Sequence, residues 1–118
     1  MKKFLAVYLG SDTGENYKKW EALDDAAREK HEASGMTGWM KWAEGNAKSL
    51  VDQGSPLGTT KLINAKGISE TKNQIVAYTI VQAETHEAAA KLFLNHPHFM
   101  IFPGDSVEIM ECLPIPGM

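Results

Sequence analysis

The densest run of chemistry-bearing side chains is Asn95-His96-Pro97-His98-Phe99, with Asp105 seven residues beyond the second histidine. Two imidazoles at i and i+2 on an extended segment face the same side, and histidine titrates nearest to neutral pH. One reading makes His96 or His98 a general base oriented by a carboxylate, with Asp105 at hand. A second makes the pair metal ligands, which requires a third ligand from a distant Asp, Glu or His. A third is structural, with one histidine capping the preceding helix and the other hydrogen-bonded in a loop.

Other candidates are scattered. Trp39 and Trp42 stand three apart on one helix, so they lie on neighbouring faces, either lining a groove or packing a core or dimer contact. Tyr78 on a strand is a further apolar wall for such a groove. His31 follows Arg28 on the same long helix and points either into a pocket or onto a solvated face among Arg28, Glu29, Lys30 and Glu32. Asp52 sits in Gly/Pro-rich sequence, where it either orients a catalytic group or hydrogen-bonds its own backbone. Gly54-Ser55-Pro56-Leu57-Gly58 lacks the lysine and spacing of a phosphate loop, and neither Gly-x-Gly-x-x-Gly nor Gly-x-Ser-x-Gly occurs. Cys112, within a predicted strand, reads as a buried hydrophobe. The sequence points to no metal site and no cofactor.

The elements that must carry these residues alternate between two periodicities. Residues 3–9 read as a strand and 10–14 as a loop. From Glu15 to Ser49 there is no proline, and Leu23-Asp24-Asp25 marks a break where an aspartate caps a following helix. Met36, Met40, Ala43, Ala47 and Leu50 form an apolar stripe at helical spacing. Gly35, Gly38 and Gly45 weaken that helix and let another backbone approach it. Residues 51–58 read as turn chemistry, followed by short β segments near 59–63 and 67–70 joined through Asn64-Ala65-Lys66. The clearest strand runs from Gln74 to Ala83. Thr85 caps a short helix that Pro97 ends, and Val107 to Leu113 is the last strand. The order β-α-β-β-α-β, with room for an extra short β element around residues 51–63, predicts an α+β, ferredoxin-like sandwich in one domain over residues 1–118.

Length and composition bound the function. The chain has 118 residues, 43% hydrophobic and 23% charged, with a net charge of −3. One ordinary globular core fits that length and composition. The acidic balance speaks against a nucleic-acid partner. No apolar run reaches the ~18–20 residues of a membrane span. Lys2-Lys3 before Phe4–Leu9 imitates a secretory leader, but the run is six residues long with no small-residue cleavage site after it, so it reads as the first strand. One cysteine excludes an internal disulfide and suits a cytoplasmic location. The first strand and residues 75–81 are apolar on both sides. Two helices cover only one face of such a sheet, and the other predicts a homodimer packed sheet against sheet.

Several stretches taken in order carry a family resemblance. They are Trp39-x-x-Trp42, Leu50-Val51-Asp52-x-Gly54-x-Pro56-Leu57, Gly67 to Lys72, Ala77-Tyr78-Thr79-Ile80 and Glu87-Ala88-Ala89. His96-Pro97-His98-Phe99 follows, then Gly104-Asp105-Ser106-Val107-Glu108-Ile109 and Ile115-Pro116-Gly117-Met118. The chain resembles the YCII-related (YciI-like) family of the dimeric α/β-barrel superfamily. That resemblance implies a small dimer with a pocket between sheet and helices, and lyase- or isomerase-type acid–base chemistry by a His–Asp pair. The family's aspartate lies in an Asp-Pro-aromatic motif whose place is held here by His96-Pro97-His98-Phe99. Asp52 and Asp105 are the acids left to pair with His96 or His98, and His31 corresponds loosely to the family's helical histidine. Two expectations follow: a pocketed enzyme with Trp39, Trp42, Tyr78 and His31 around the ligand, or a non-catalytic accessory or regulatory module on the same scaffold.

Overall fold

The computed structural model describes residues 1–117; Met118, the last residue of the closing motif, lies outside the described residues. Strand β1 (Lys2–Leu9) is followed by helices α1 (Glu15–Glu21) and α2 (Asp25–Gly45), strands β2 (Leu50–Pro56), β3 (Thr60–Asn64), β4 (Gly67–Thr71) and β5 (Ile75–Ala83), helices α3 (His86–Lys91) and α4 (Pro97–Met100), and strand β6 (Ser106–Glu111). The main sheet has the order β2-β5-β1-β6 and every pairing in it is antiparallel, which is the ferredoxin-like topology. A separate two-stranded hairpin, β3–β4, is inserted between β2 and β5.

The helix-side core follows from strand alternation. Phe4, Ala6 and Tyr8 of β1, Val81 and Ala83 of β5, and Ala89 and Phe93 form one buried cluster, with Trp39, Trp42, Leu50, Val107 and Ile109 packed on it. The residues between them, Leu5, Val7, Tyr78, Ile80 and Met110, fall on the side no helix covers. Cys112 continues the alternation of β6 onto that uncovered side and is exposed, contrary to its reading as a buried hydrophobe. Among the described residues, no helix is long and apolar enough to cross a membrane.

Three further elements differ from the sequence reading. Residues 50–56 are a strand, not a turn. β2 is an edge strand, where Pro56 costs no interior ladder bond, and its register shifts absorb Gly54 at φ +72°. Pro97 does not end α3 but opens α4, at a position where a missing N–H is harmless. The apolar stripe, read at helical spacing through Ala47 and Leu50, is cut short where α2 ends at Gly45, and its Met36 and Met40 are 57% and 60% exposed. The break before α2 is as read: the Asp24 side chain accepts a hydrogen bond from the Ala27 amide at 2.8 Å.

Candidate functional site

The two central histidines are positioned by local backbone devices. Asn95 adopts φ +58°, a left-handed conformation that asparagine tolerates, and reverses the chain after α3. His96 then serves as N-cap of α4, its Nδ1 accepting the His98 amide at 3.0 Å. A helical turn, rather than an extended segment, thus aims both rings inward, each 5.2 Å from the Tyr8 ring. Gly38 admits Pro97 against α2, and Gly35 admits the Phe102 ring. From α1, the Asn16 amide donates to the Phe99 carbonyl at 3.0 Å and the Gly104 carbonyl at 2.7 Å, tying down both sides of the loop.

The environments of the two rings differ. His96 is 0% exposed, inside a cage of Tyr8, Trp39, Trp42 and Phe93. Burial, aided by repulsion from His98, holds its pKa down at about 3, so the ring is neutral. Nδ1 is an acceptor, which leaves the proton on Nε2, and Nε2 has no hydrogen-bond partner. The Trp39 and Trp42 rings stand edge-to-face with the imidazole at centroid distances of 4.4 Å and 4.6 Å. Aromatic rings rather than water surround the buried N–H.

His98 is 6% exposed and lines a cavity. Its Nε2 lies 2.8 Å from the Leu9 carbonyl, which can only accept. The neutral ring therefore carries its proton on Nε2 and its lone pair on Nδ1. Burial lowers its pKa below the usual imidazole value, partly offset by the Leu9 carbonyl, the Asp105 charge and the Ser106 backbone. Asp105 is itself held by the Ser11 hydroxyl at 2.8 Å. Gly104 presses its Cα against the ring, so closely that a Cβ there would collide with Cε1 and both nitrogens. Gly104→Ala is expected to displace the ring from Leu9 and to cost about 1–3 kcal/mol. NMR should show moved His98 signals and an altered His98 titration.

The cavity, about 490 Å³, opens between α2 and the β2–β5 edge of the sheet. Met36, Trp39, Met40, Trp42 and Phe102 form one side, and Leu50, Pro56 and Ala77 the other. Trp42 is fixed by its indole N–H donating to the Leu92 carbonyl at 2.6 Å. Tyr78 borders the space, but its pairing with Val7 puts its side chain on the uncovered face. Tyr8 closes the floor beneath the histidines. Its hydroxyl pairs with Thr79 Oγ1 at 2.9 Å, and burial pushes its pKa up to about 12.

The remaining candidates lie elsewhere. Asp52 pairs with Ile80 on the uncovered side, and its carboxylate accepts the Gly54 amide at 2.8 Å. His31 is exposed on α2, Nδ1 2.9 Å from the Ala27 carbonyl, with its ring edge-on to Trp20. Arg28 closes off α1 by donating to the Leu23 carbonyl at 2.8 Å. Neither His31 nor Asp52 lines the cavity. The residues that sequence reasoning missed are Asn16, Met36, Met40, Phe102 and Gly104. For the methionines the helical stripe was a signal, read as apolar without a role; Asn16 left none, because its partners are distant carbonyls. Among the described residues, no three His, Cys, Asp or Glu side chains are arranged to hold a metal ion.

No protein-family model matches the chain, and no curated protein matches it in sequence. Among solved structures it is similar to 5-chloro-2-hydroxyhydroquinone dehydrochlorinase from Burkholderia phenoliruptrix AC1100, in complex with 2,5-dihydroxybenzoquinone. The TM-score is 0.50 at 15% identity, over 92% of this chain and 90% of that one. The likeness is one of fold. It agrees with the sheet order above in giving the chain a ferredoxin-like α+β architecture.

Proposed function

We propose that the chain is a homodimer of one-domain protomers, each binding a small molecule in the α2/β2–β5 cavity, with His98 as proton carrier for lyase- or isomerase-type chemistry. The observation that carries this is that, among the described residues, His98 is the only imidazole, carboxylate or amine in the cavity wall. With Nε2–H committed to Leu9, Nδ1 is the atom that takes a proton from a bound ligand and returns it. Its lowered pKa keeps the ring unprotonated at neutral pH, the state a base requires. Asp105 favours the imidazolium that forms, acting through its charge since the two side chains share no hydrogen bond. His96, caged and neutral, holds the loop. The fold neighbour, a dehydrochlorinase complexed with a dihydroxybenzoquinone, lends the reaction class by analogy. A single thiol and no disulfide suit a cytoplasmic setting.

The test is a screen of enolisable ring compounds, hydroquinones and cyclic ketones among them, for deuterium uptake in D2O. His98→Asn should slow exchange by about 10²–10⁴-fold. The wild-type rate should rise through an apparent pKa below 6.5 and be level at neutral pH. Exchange unaffected by His98→Asn would overturn the assignment. Ligand binding without exchange would leave the scaffold as an accessory binding module.

A further inference from the structure

The wall of the cavity is as informative for what it lacks. Among the described residues, no lysine, arginine, aspartate or glutamate lines it. An anion entering would shed water with no cation to meet it, a transfer that proteins avoid unless the charge is paired. The nearest fixed charge acting on His98 is the Asp105 carboxylate, which repels anions further.

The polar groups that are present set a second condition. Nε2–H of His98 is taken by the Leu9 carbonyl, so what the imidazole offers a ligand is an acceptor. The Ser55 hydroxyl likewise spends its proton on the Pro56 carbonyl, at 2.7 Å. A carboxylate or phosphate oxygen, itself an acceptor, would gain nothing from the Nδ1 lone pair, and the donors in the wall, the Gln53 amide and the Trp39 indole, are uncharged. A ligand with an O–H or N–H satisfies the lone pair.

The apolar walls set a third. Trp39, Trp42 and Phe102 supply rings, and Met36 and Met40 supply thioethers on the mouth side, where both are more than half exposed. Sulfur and ring edges favour contact with the face and edge of another flat π-system. The methionines, unbranched and mobile, can close over a ring without a preformed slot.

From these conditions together, we infer that the cavity selects uncharged, flat, ring-bearing molecules carrying one hydroxyl or N–H donor for His98 Nδ1, and turns away carboxylates and phosphates. This assignment rests on the cavity being the binding site proposed above, and the probes separate the two. Phenol, anisole, cyclohexanol, benzoate and phenyl phosphate form a matched set, read by NMR shifts of the Trp39 and Trp42 indole N–H signals at pH 7. Phenol should bind at least about tenfold tighter than benzoate or phenyl phosphate, for want of a cation in the wall. It should also bind severalfold tighter than anisole, which has no donor, and cyclohexanol, which has no π-face.

Met40→Lys places a cation at the exposed mouth without disturbing the core, and should raise benzoate affinity about tenfold relative to phenol. Benzoate binding to the wild type as tightly as phenol would overturn the ligand class and leave the cavity in place as a binding site. Failure of every probe to move the Trp39 and Trp42 signals would overturn both.

Discussion

Lowering the pH from 7 to 4 is expected to destabilise the protein by about 3 kcal/mol through His96 alone, and His96→Asn is expected to abolish that share. The folded state holds His96 at a pKa of about 3, against 6.5 for the free side chain. Between those values the unfolded chain binds a proton that the folded chain refuses. The stability from this group is therefore fully present above pH 6.5 and drains away as pH falls toward 3. Each pK unit of the gap corresponds to ~1.4 kcal/mol, so the full loss is on the order of 4–5 kcal/mol. That is a large share of the 5–15 kcal/mol typical of a domain. Burial acts on His98 in the same direction.

Asparagine suits the test because it is among the best N-caps and does not titrate. It retains an acceptor for the His98 amide while leaving part of the aromatic cage empty, so the variant should be weaker than wild type at pH 7 by about 2–3 kcal/mol. What distinguishes titration from packing is the slope. Urea midpoints read by tryptophan fluorescence at pH 7 and pH 4 should move much less in the variant. An equal fall in both proteins would mean that His96 is protonated within the fold, and the caged, neutral imidazole would be the wrong picture.

How much of this was legible beforehand differs by element. The strands β1 and β5, the capped start of α2 and the β3–β4 hairpin were readable because each rests on local signals: β-branched runs, an aspartate cap, an Asn-Ala-Lys-Gly turn. The edge strand β2 was not. Its sequence is turn-rich, and it becomes a strand only because β5 offers an open ladder, which is a tertiary fact. The histidine segment shows the same limit. Its residues were the obvious chemical cluster, yet their division of labour depends on burial, which spacing does not encode. His96 and His98 are two residues apart, and one is sealed in a cage while the other borders the cavity. Trp39 and Trp42 were open to core or groove, with packing the commoner role for such residues; the structure gives them both, packed on His96 and lining the cavity. Asp52 and Asp105 were interchangeable by sequence. Strand pairing sends Asp52 to the far side of the sheet, and the Leu9–Asp105 backbone bond at 2.9 Å brings Asp105 beside His98.

The uncovered face leads to the remaining large effect. Leu5 pairs with Ile80 on one side and Met110 on the other, making an apolar row across three strands, with Val7 and Tyr78 one step along. A row of that kind on a lone sheet face is the composition of a core half, not of a solvated surface. In the proposed homodimer a two-fold axis sets this row against itself, so one substitution is felt twice. Leu5→Lys would bring two cations into an apolar interface, flanked directly by Ile80 and Met110 and by no carboxylate; Glu108 lies beside Val7, and Asp52 lies beyond Ile80. An unpaired buried charge costs several kcal/mol, so dimer affinity should fall by about 10³-fold or more. In the separated protomer the same lysine points to water, so folding should survive and circular dichroism should be unchanged. Sedimentation velocity at micromolar concentration is the measurement. Wild type should run at twice 13.0 kDa and the variant at the single mass. A wild-type monomer, or a variant that still pairs, would show that this face is not the interface. The hairpin, whose Ile63 and Ile68 pair across its strands at 69% and 73% exposure, would then be the apolar surface left to pair two copies.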